Sequence, residues 1–176
     1  MGISYEQWVG SAAVLAATTL IGQALANRIR DRPSNLRRLC SSLRVLQTEI
    51  GFRRAPLRDA LMRAGAAARG TPVAKLFEDA AEKLAKPGST AVDGLVAAVY
   101  KHRLACSMEL EDAQVMIDLA QSLGATGASD QVASLQASIA MLEAREREAL
   151  IARDRFARVY RTLGILAGVV VVILLI

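Results

Sequence analysis

The side chains able to do chemistry in this chain are few and far apart. Its single histidine, His102, stands between Lys101 and Arg103 at an expected helix end, where it suits dipole compensation or plain exposure better than proton transfer. Cys40 and Cys106 belong to no CxxC pair and have no histidine cluster, so reduced, half-buried thiols are expected rather than a metal site. Glu109, Glu111 and Asp112 crowd one helical stretch, but three acids on successive turns without a loop make a poor cation cage. No Walker loop, GxSxG or HExxH occurs. These residues predict a protein that is not an enzyme and takes no cofactor.

What the charges can do is bind surfaces. Between Arg103 and Arg145 there is no Lys or Arg, while Glu109, Glu111, Asp112, Asp118, Asp130 and Glu143 give the segment a formal charge of −6. A solvated helix face is one reading. The other is a docking surface for a basic partner, turned away from lipid. The arginines concentrate elsewhere: Arg28, Arg30, Arg32, Arg37 and Arg38 on one side, Arg145, Arg147, Arg153, Arg155, Arg158 and Arg161 on the other. A pI near 9.7 suggests an anionic partner, yet no nucleic-acid recognition module or aromatic stacking set is present, so no nucleic acid is expected. Arg28, Arg30, Arg32, Arg158 and Arg161 are instead expected to meet anionic headgroups, where each contributes about 1 kcal/mol.

The reason is what lies beside them. Residues 162–176 carry no charge, and eleven of the fifteen are Leu, Ile or Val. On an insertion scale they favour the bilayer by roughly 3–6 kcal/mol. A second uncharged stretch, residues 7–27, has Trp8 at its edge as an interfacial anchor would. A cleaved signal is the competing reading there, with Ala24-Leu25-Ala26 resembling a cleavage site. Glu6 and the lack of Lys or Arg in the first ten residues weigh against it. Arginine on both inner flanks predicts a hairpin with residues 28–161 cytoplasmic. As a helix the tail reaches only ~22 Å, short of a hydrocarbon core, so it must thin the bilayer, let Arg161 snorkel, or span incompletely.

The middle, residues 28–161, is expected to be one all-α domain, since no alternating strand pattern with hairpin turns appears. Pro33 suits a helix start, and Leu36, Leu39, Leu43, Leu46 and Ile50 then recur at spacings of three and four. Pro56 opens a second segment that runs out at Gly70. A third is expected over 73–86, a fourth over 91–103 after a Pro87–Thr90 turn, and a fifth over 107–123 ending at Gly124. The sixth, capped by Ser129 or Asp130, meets no breaker before Gly164 and would form a ~70 Å rod if it runs into the tail. Stretches 36–50 and 132–142 both carry an apolar seam and are expected to pack antiparallel. Glu49 and Arg145 are expected to pair across these helices.

Several of these residues fall in a familiar order. Leu46-Gln47-Thr48-Glu49-Ile50, Ala55-Pro56-Leu57, Ala60-Leu61, Leu76-Phe77 with Leu84, and Asp118-Leu119…Leu123-Gly124…Asp130-Gln131 resemble the motifs of the stage III sporulation protein AB family, across nearly the whole chain. Leu95 departs, standing near the family's tryptophan, as does the Ala-rich loop 125–128. The resemblance implies a six-helix cytoplasmic bundle like the F-type platform domain of type II secretion and type IV pilus machines. It further implies a non-enzymatic adaptor in the mother-cell membrane, coupling a secretion-type ATPase to ring-forming membrane proteins of a channel into the forespore. A complete secretion platform carries two such domains, so a homo-oligomer is expected. On that reading Glu109, Glu111, Asp112 and Asp118 would contact the ATPase. The alternative is a helical scaffold on the membrane surface that reads anionic lipid through its arginine flanks.

Overall fold

The structure, a computed structural model, describes the backbone of residues 5–123 and 127–175 and the side chains of residues 26–123 and 127–156. Six helices follow one another: α1 (Tyr5–Gly51), α2 (Leu57–Ala67), α3 (Pro72–Leu84), α4 (Ala91–His102), α5 (Leu110–Ser122) and α6 (Ala128–Leu175). No strand occurs among the described residues. The expected membrane segments, 7–27 and 162–176, lie outside the described side chains apart from Ala26 and Asn27. Among the described residues no helix is long and apolar enough to cross a membrane.

The seam read from the sequence builds the core. Leu36, Leu39, Leu43, Leu46 and Ile50 are all buried on one face of α1. They meet Leu135, Ile139, Leu142 and Ala149, the buried stripe of α6. The register is antiparallel: Arg37 reaches Glu146, Arg44 reaches Glu143, and Gly51 abuts Val132. As numbering rises along α1 it falls along α6, so the expected pairing of 36–50 with 132–142 is what forms.

Pro33 corrects the expected boundary. It does not start a helix; α1 continues through it as one 47-residue helix, with Pro33 buried inside. An interior proline leaves the carbonyl four residues back, Ile29, without its amide partner and costs about 3 kcal/mol. The packing of the buried α1 stripe offsets that cost, which a propensity reading of the sequence does not include.

The short helices have local causes. Thr71 caps α3, accepting the Ala74 amide through its hydroxyl, and Pro72 occupies the first turn, where no donor is needed. Thr90 and Asp93 exchange hydrogen bonds at the start of α4. The fifth helix begins at Leu110, later than the expected 107, because Cys106, Ser107 and Met108 are buried in a tight turn with Ser107 at φ 54°. Small residues let helices approach closely. A Cβ on Gly94 would stand 2.9 Å from the Ala80 carbonyl oxygen, and one on Gly65 would stand 3.2 Å from the Ala74 carbonyl oxygen. Leu95 is fully buried, filling core space beside Phe77-bearing α3.

Candidate interaction surfaces

The antiparallel pair gives the bundle two distinct ends. Arg28 follows the uncharged stretch directly, and the α1/α6 register carries its level to roughly residues 155–159 of α6. The two arginine-rich flanks therefore sit at one end. Gly51, where α1 stops, lies about 35 Å further along. The turn after it and the start of α6 form the other end.

At the arginine-rich end α1 is clamped to the first turn of α5. The Arg32 guanidinium donates from Nε to Asp112 Oδ2 at 3.1 Å and from Nη2 to Oδ1 at 3.1 Å. Glu109 Oε2 lies 3.0 Å from the same Nη2. Asp112 has no exposure at all, and its Oδ2 also accepts the Glu109 backbone amide at 2.9 Å. This carboxylate thus satisfies both a helix terminus and a buried cation.

That geometry revises two expected sets. Asp112 is internal and cannot be part of a docking face. Glu109 lies at the arginine-rich end, so the acidic residues do not form one surface turned away from it. The acids that α5 exposes are Glu111 and Asp118, with Gln114 donating to Asp118 at 2.7 Å. Of the arginines expected at headgroups, Arg32 is spent on Asp112 and only 12% exposed, while Arg30 is open and touches Asp31. Arg28 is half-buried. Arg158 and Arg161 fall outside the described side chains.

Glu49 is also rerouted. It is buried, and its carboxylate takes Arg63 at 2.6 Å and Arg53 at 3.3 Å instead of Arg145. Arg145 is half-buried elsewhere on α6. The sixth helix contributes Glu143 and Glu146, which hold Arg44 and Arg37. By fixing Arg53 and Arg63, Glu49 shapes the turn at the far end. There Phe52 is 88% exposed, Arg54 adopts φ 48°, and Arg53, Arg54 and Arg58, all exposed, follow it in the chain. A cleft of about 310 Å³ opens beside them, lined by Ile50, Arg54, Ala55, Leu57, Ala128 and Gln131. An exposed aromatic with exposed arginines next to it in the chain has the composition of a contact hot spot. The signal was in the sequence: Phe52 falls off the three–four spacing that ends at Ile50, so it has no place in the seam.

His102 is not plainly exposed. Its Nε2 donates to Asp79 Oδ2 at 2.7 Å, and Lys101 reaches the same oxygen at 2.6 Å. Hydrogen bonds from Lys101 and His102 hold the Asp79 carboxyl below its usual range. The nearby hydroxyl of Thr71, which lines the same cleft as His102, is committed to capping, donating to the Ala68 carbonyl and accepting Ala74. The trio ties α4 to α3. Among the described residues no group of His, Cys, Asp and Glu is arranged to hold a metal. Burial pushes both thiols, Cys40 and Cys106, up to about 11.

Comparison with known proteins agrees with this architecture. Stage III sporulation protein AB of Bacillus subtilis (strain 168) is 26% identical over 167 residues, covering 95% of this chain and 97% of that one. A solved structure of a stage III sporulation protein AB, 24% identical, superposes with a TM-score of 0.66 over 71% of this chain and 98% of its own, and shares the fold. The family model described as stage III sporulation protein AB matches residues 7–176, and the chain belongs to that family.

Proposed function

We propose that this protein is a membrane platform of a sporulation channel, joining a secretion-type ATPase on the cytoplasmic side to ring-forming membrane proteins. The observation that carries the reading is the two-ended α1/α6 pair. Both uncharged segments adjoin one arginine-rich end, while Phe52, Arg53 and Arg54 stand exposed about 35 Å away. On this reading the arginine-rich end rests on the mother-cell membrane, and the tip projects into the cytoplasm within reach of the ATPase. Likeness to the F-type platform domain of type II secretion and type IV pilus machines belongs to the same proposal. So does pairing of copies, since a secretion platform carries two such domains. Two surfaces are open to partners: the basic tip, and the acidic stripe of Glu111 and Asp118 on α5.

The test uses the full chain in lipid nanodiscs with the cognate secretion ATPase. Phe52→Ala/Arg54→Glu is compared with Glu111→Lys/Asp118→Lys, helicity being checked by circular dichroism. The ATPase binds the wild type, and one of the two variants loses binding without losing its fold. Absence of binding by the folded, membrane-inserted wild type would refute the platform reading.

A further inference from the structure

We propose that the corner between α4 and α5 is a third membrane contact, with Leu104 and Leu110 inserted among lipid headgroups. The inference rests on the anchoring of residues 7–27 put forward above. Leu104 is 59% and Leu110 69% exposed, one on each side of a turn whose interior is otherwise closed. Cys106, Ser107 and Met108 are buried, and the turn is drawn tight by hydrogen bonds donated from the Cys106 amide to the His102 carbonyl at 2.8 Å and from the Met108 amide to the Arg103 carbonyl at 2.9 Å. The two leucines are therefore presented on a rigid base, not on a loose loop.

The height of this corner is fixed by α1. Arg32 grips Asp112 and Glu109, and Arg28, Ile29 and Arg32 line a shallow cleft of about 160 Å³ together with Ser107 and Glu109. Arg28 is the first charge after 21 uncharged residues. Arg32 is one helical turn further, about 6 Å, so the corner stands within a turn of the level where α1 gains its first charge. Exposed leucines at that depth meet the headgroup and upper acyl region, where apolar side chains gain by partial burial.

Charge does not drive the contact. Within the corner itself Lys101 and Arg103 are matched in number by Glu109 and Glu111, and Asp112 neutralises Arg32; the arginine surplus of this end lies on α1 and α6. With the corner's own signs balanced, its insertion depends on the leucines, and the arginines of α1 and α6 do not set its depth. This separates the corner from a polybasic lipid reader, whose contact weakens when anionic lipid is removed.

The experiment places a bimane label on full-length chain in nanodiscs, at Leu104→Cys or Leu110→Cys. Phe52→Cys marks the far tip and Val14→Cys the uncharged stretch. Cys40 and Cys106 are buried and stay unlabelled. Acyl-brominated phosphatidylcholine, with and without phosphatidylglycerol, is the lipid quencher, and iodide the aqueous one. The expected result is a loss of fluorescence at 104 and 110 several times that at 52, equal in both lipid mixtures. Quenching by iodide alone at 104 and 110, with position 14 quenched by lipid, overturns the inference and leaves the anchoring intact. Protection from both quenchers means that protein covers the corner, and overturns it too. If position 14 also escapes the brominated lipid, the anchoring reading fails and the corner contact with it.

Discussion

Replacing Arg32 by methionine isolates what the clamp between α1 and α5 contributes. The substitution keeps most of the side-chain length but removes a guanidinium that reaches Asp112 at 3.0–3.1 Å. Asp112, wholly buried, then keeps only the Glu109 amide at 2.9 Å and the α5 N-terminus as compensation. Breaking a buried pair from one side costs about 3–5 kcal/mol; the remaining cap and helix dipole hold the expected loss near 3 kcal/mol. Arg32→Met/Asp112→Leu removes both charges. It forfeits the cap, about 1 kcal/mol, but strands no ion, so it is expected to be more stable than the single variant. Urea unfolding of the full chain in mild detergent, followed at 222 nm, measures all four corners of the cycle. A double variant no more stable than Arg32→Met, or a single-variant loss below about 1 kcal/mol, would refute the reasoning.

Four further outcomes follow from the packing and the titrating groups. Gly94→Ala gains about 1 kcal/mol of helix propensity but drives a methyl to 2.9 Å from the Ala80 carbonyl, so α3 and α4 separate and the net loss is about 1–2 kcal/mol by denaturation; unchanged stability would contradict the close approach. Ser42 is fully buried with an unpartnered hydroxyl, and Ser42→Ala stabilises by about 1 kcal/mol in the same assay; a loss would reveal a bond that the alanine breaks. Because Asp79 titrates lower when folded than when unfolded, its contribution is present above the unfolded value of 3.8 and disappears as pH falls through the folded one. Asp79→Asn should therefore flatten the stability–pH curve below about pH 4, and an unaltered acid limb would count against the Lys101–Asp79–His102 trio. With thiol values near 11 and little exposure, Cys40 and Cys106 resist a disulfide reagent at pH 8 until the bundle opens; fast labelling of the folded chain would show otherwise.

Helix identity and the main packing partner were legible in the sequence, since both depend on apolar spacing alone. Leu36 to Ile50 and Leu135 to Leu142 each declare a buried stripe, and two such stripes joined by short helices pack antiparallel. The partners of charged residues were not legible. Asp112 and Arg32 are 80 positions apart, and whether they meet depends on the rotation of α5 about its own axis, which no local spacing encodes. Glu49 shows the same limit at short range. Its arginines, Arg53 and Arg63, come from the turn and from α2, so the choice over Arg145 is made by how the chain reverses at Ala55 and Pro56. Pro33 was misread because a boundary rule weighs one missing hydrogen bond, whereas the molecule weighs a whole packed face. The acidic run was read as a surface because composition counts charges without asking which are already neutralised.

The unbroken course of α1 and α6 has a mechanical consequence. Neither helix stops or turns where its uncharged segment joins the bundle, so there is no joint at which the domain swivels freely. The bundle is a mast stepped on the two helices that run on from it as struts, braced at its foot by the Arg32–Asp112 cross-tie. Rocking the struts by about 10° sweeps the Phe52 tip through about 6 Å, roughly one helical pitch, given the ~35 Å between them. The same lever works in reverse: a push at the tip becomes a torque on the struts, and cutting the cross-tie would let the foot yield before the load arrives.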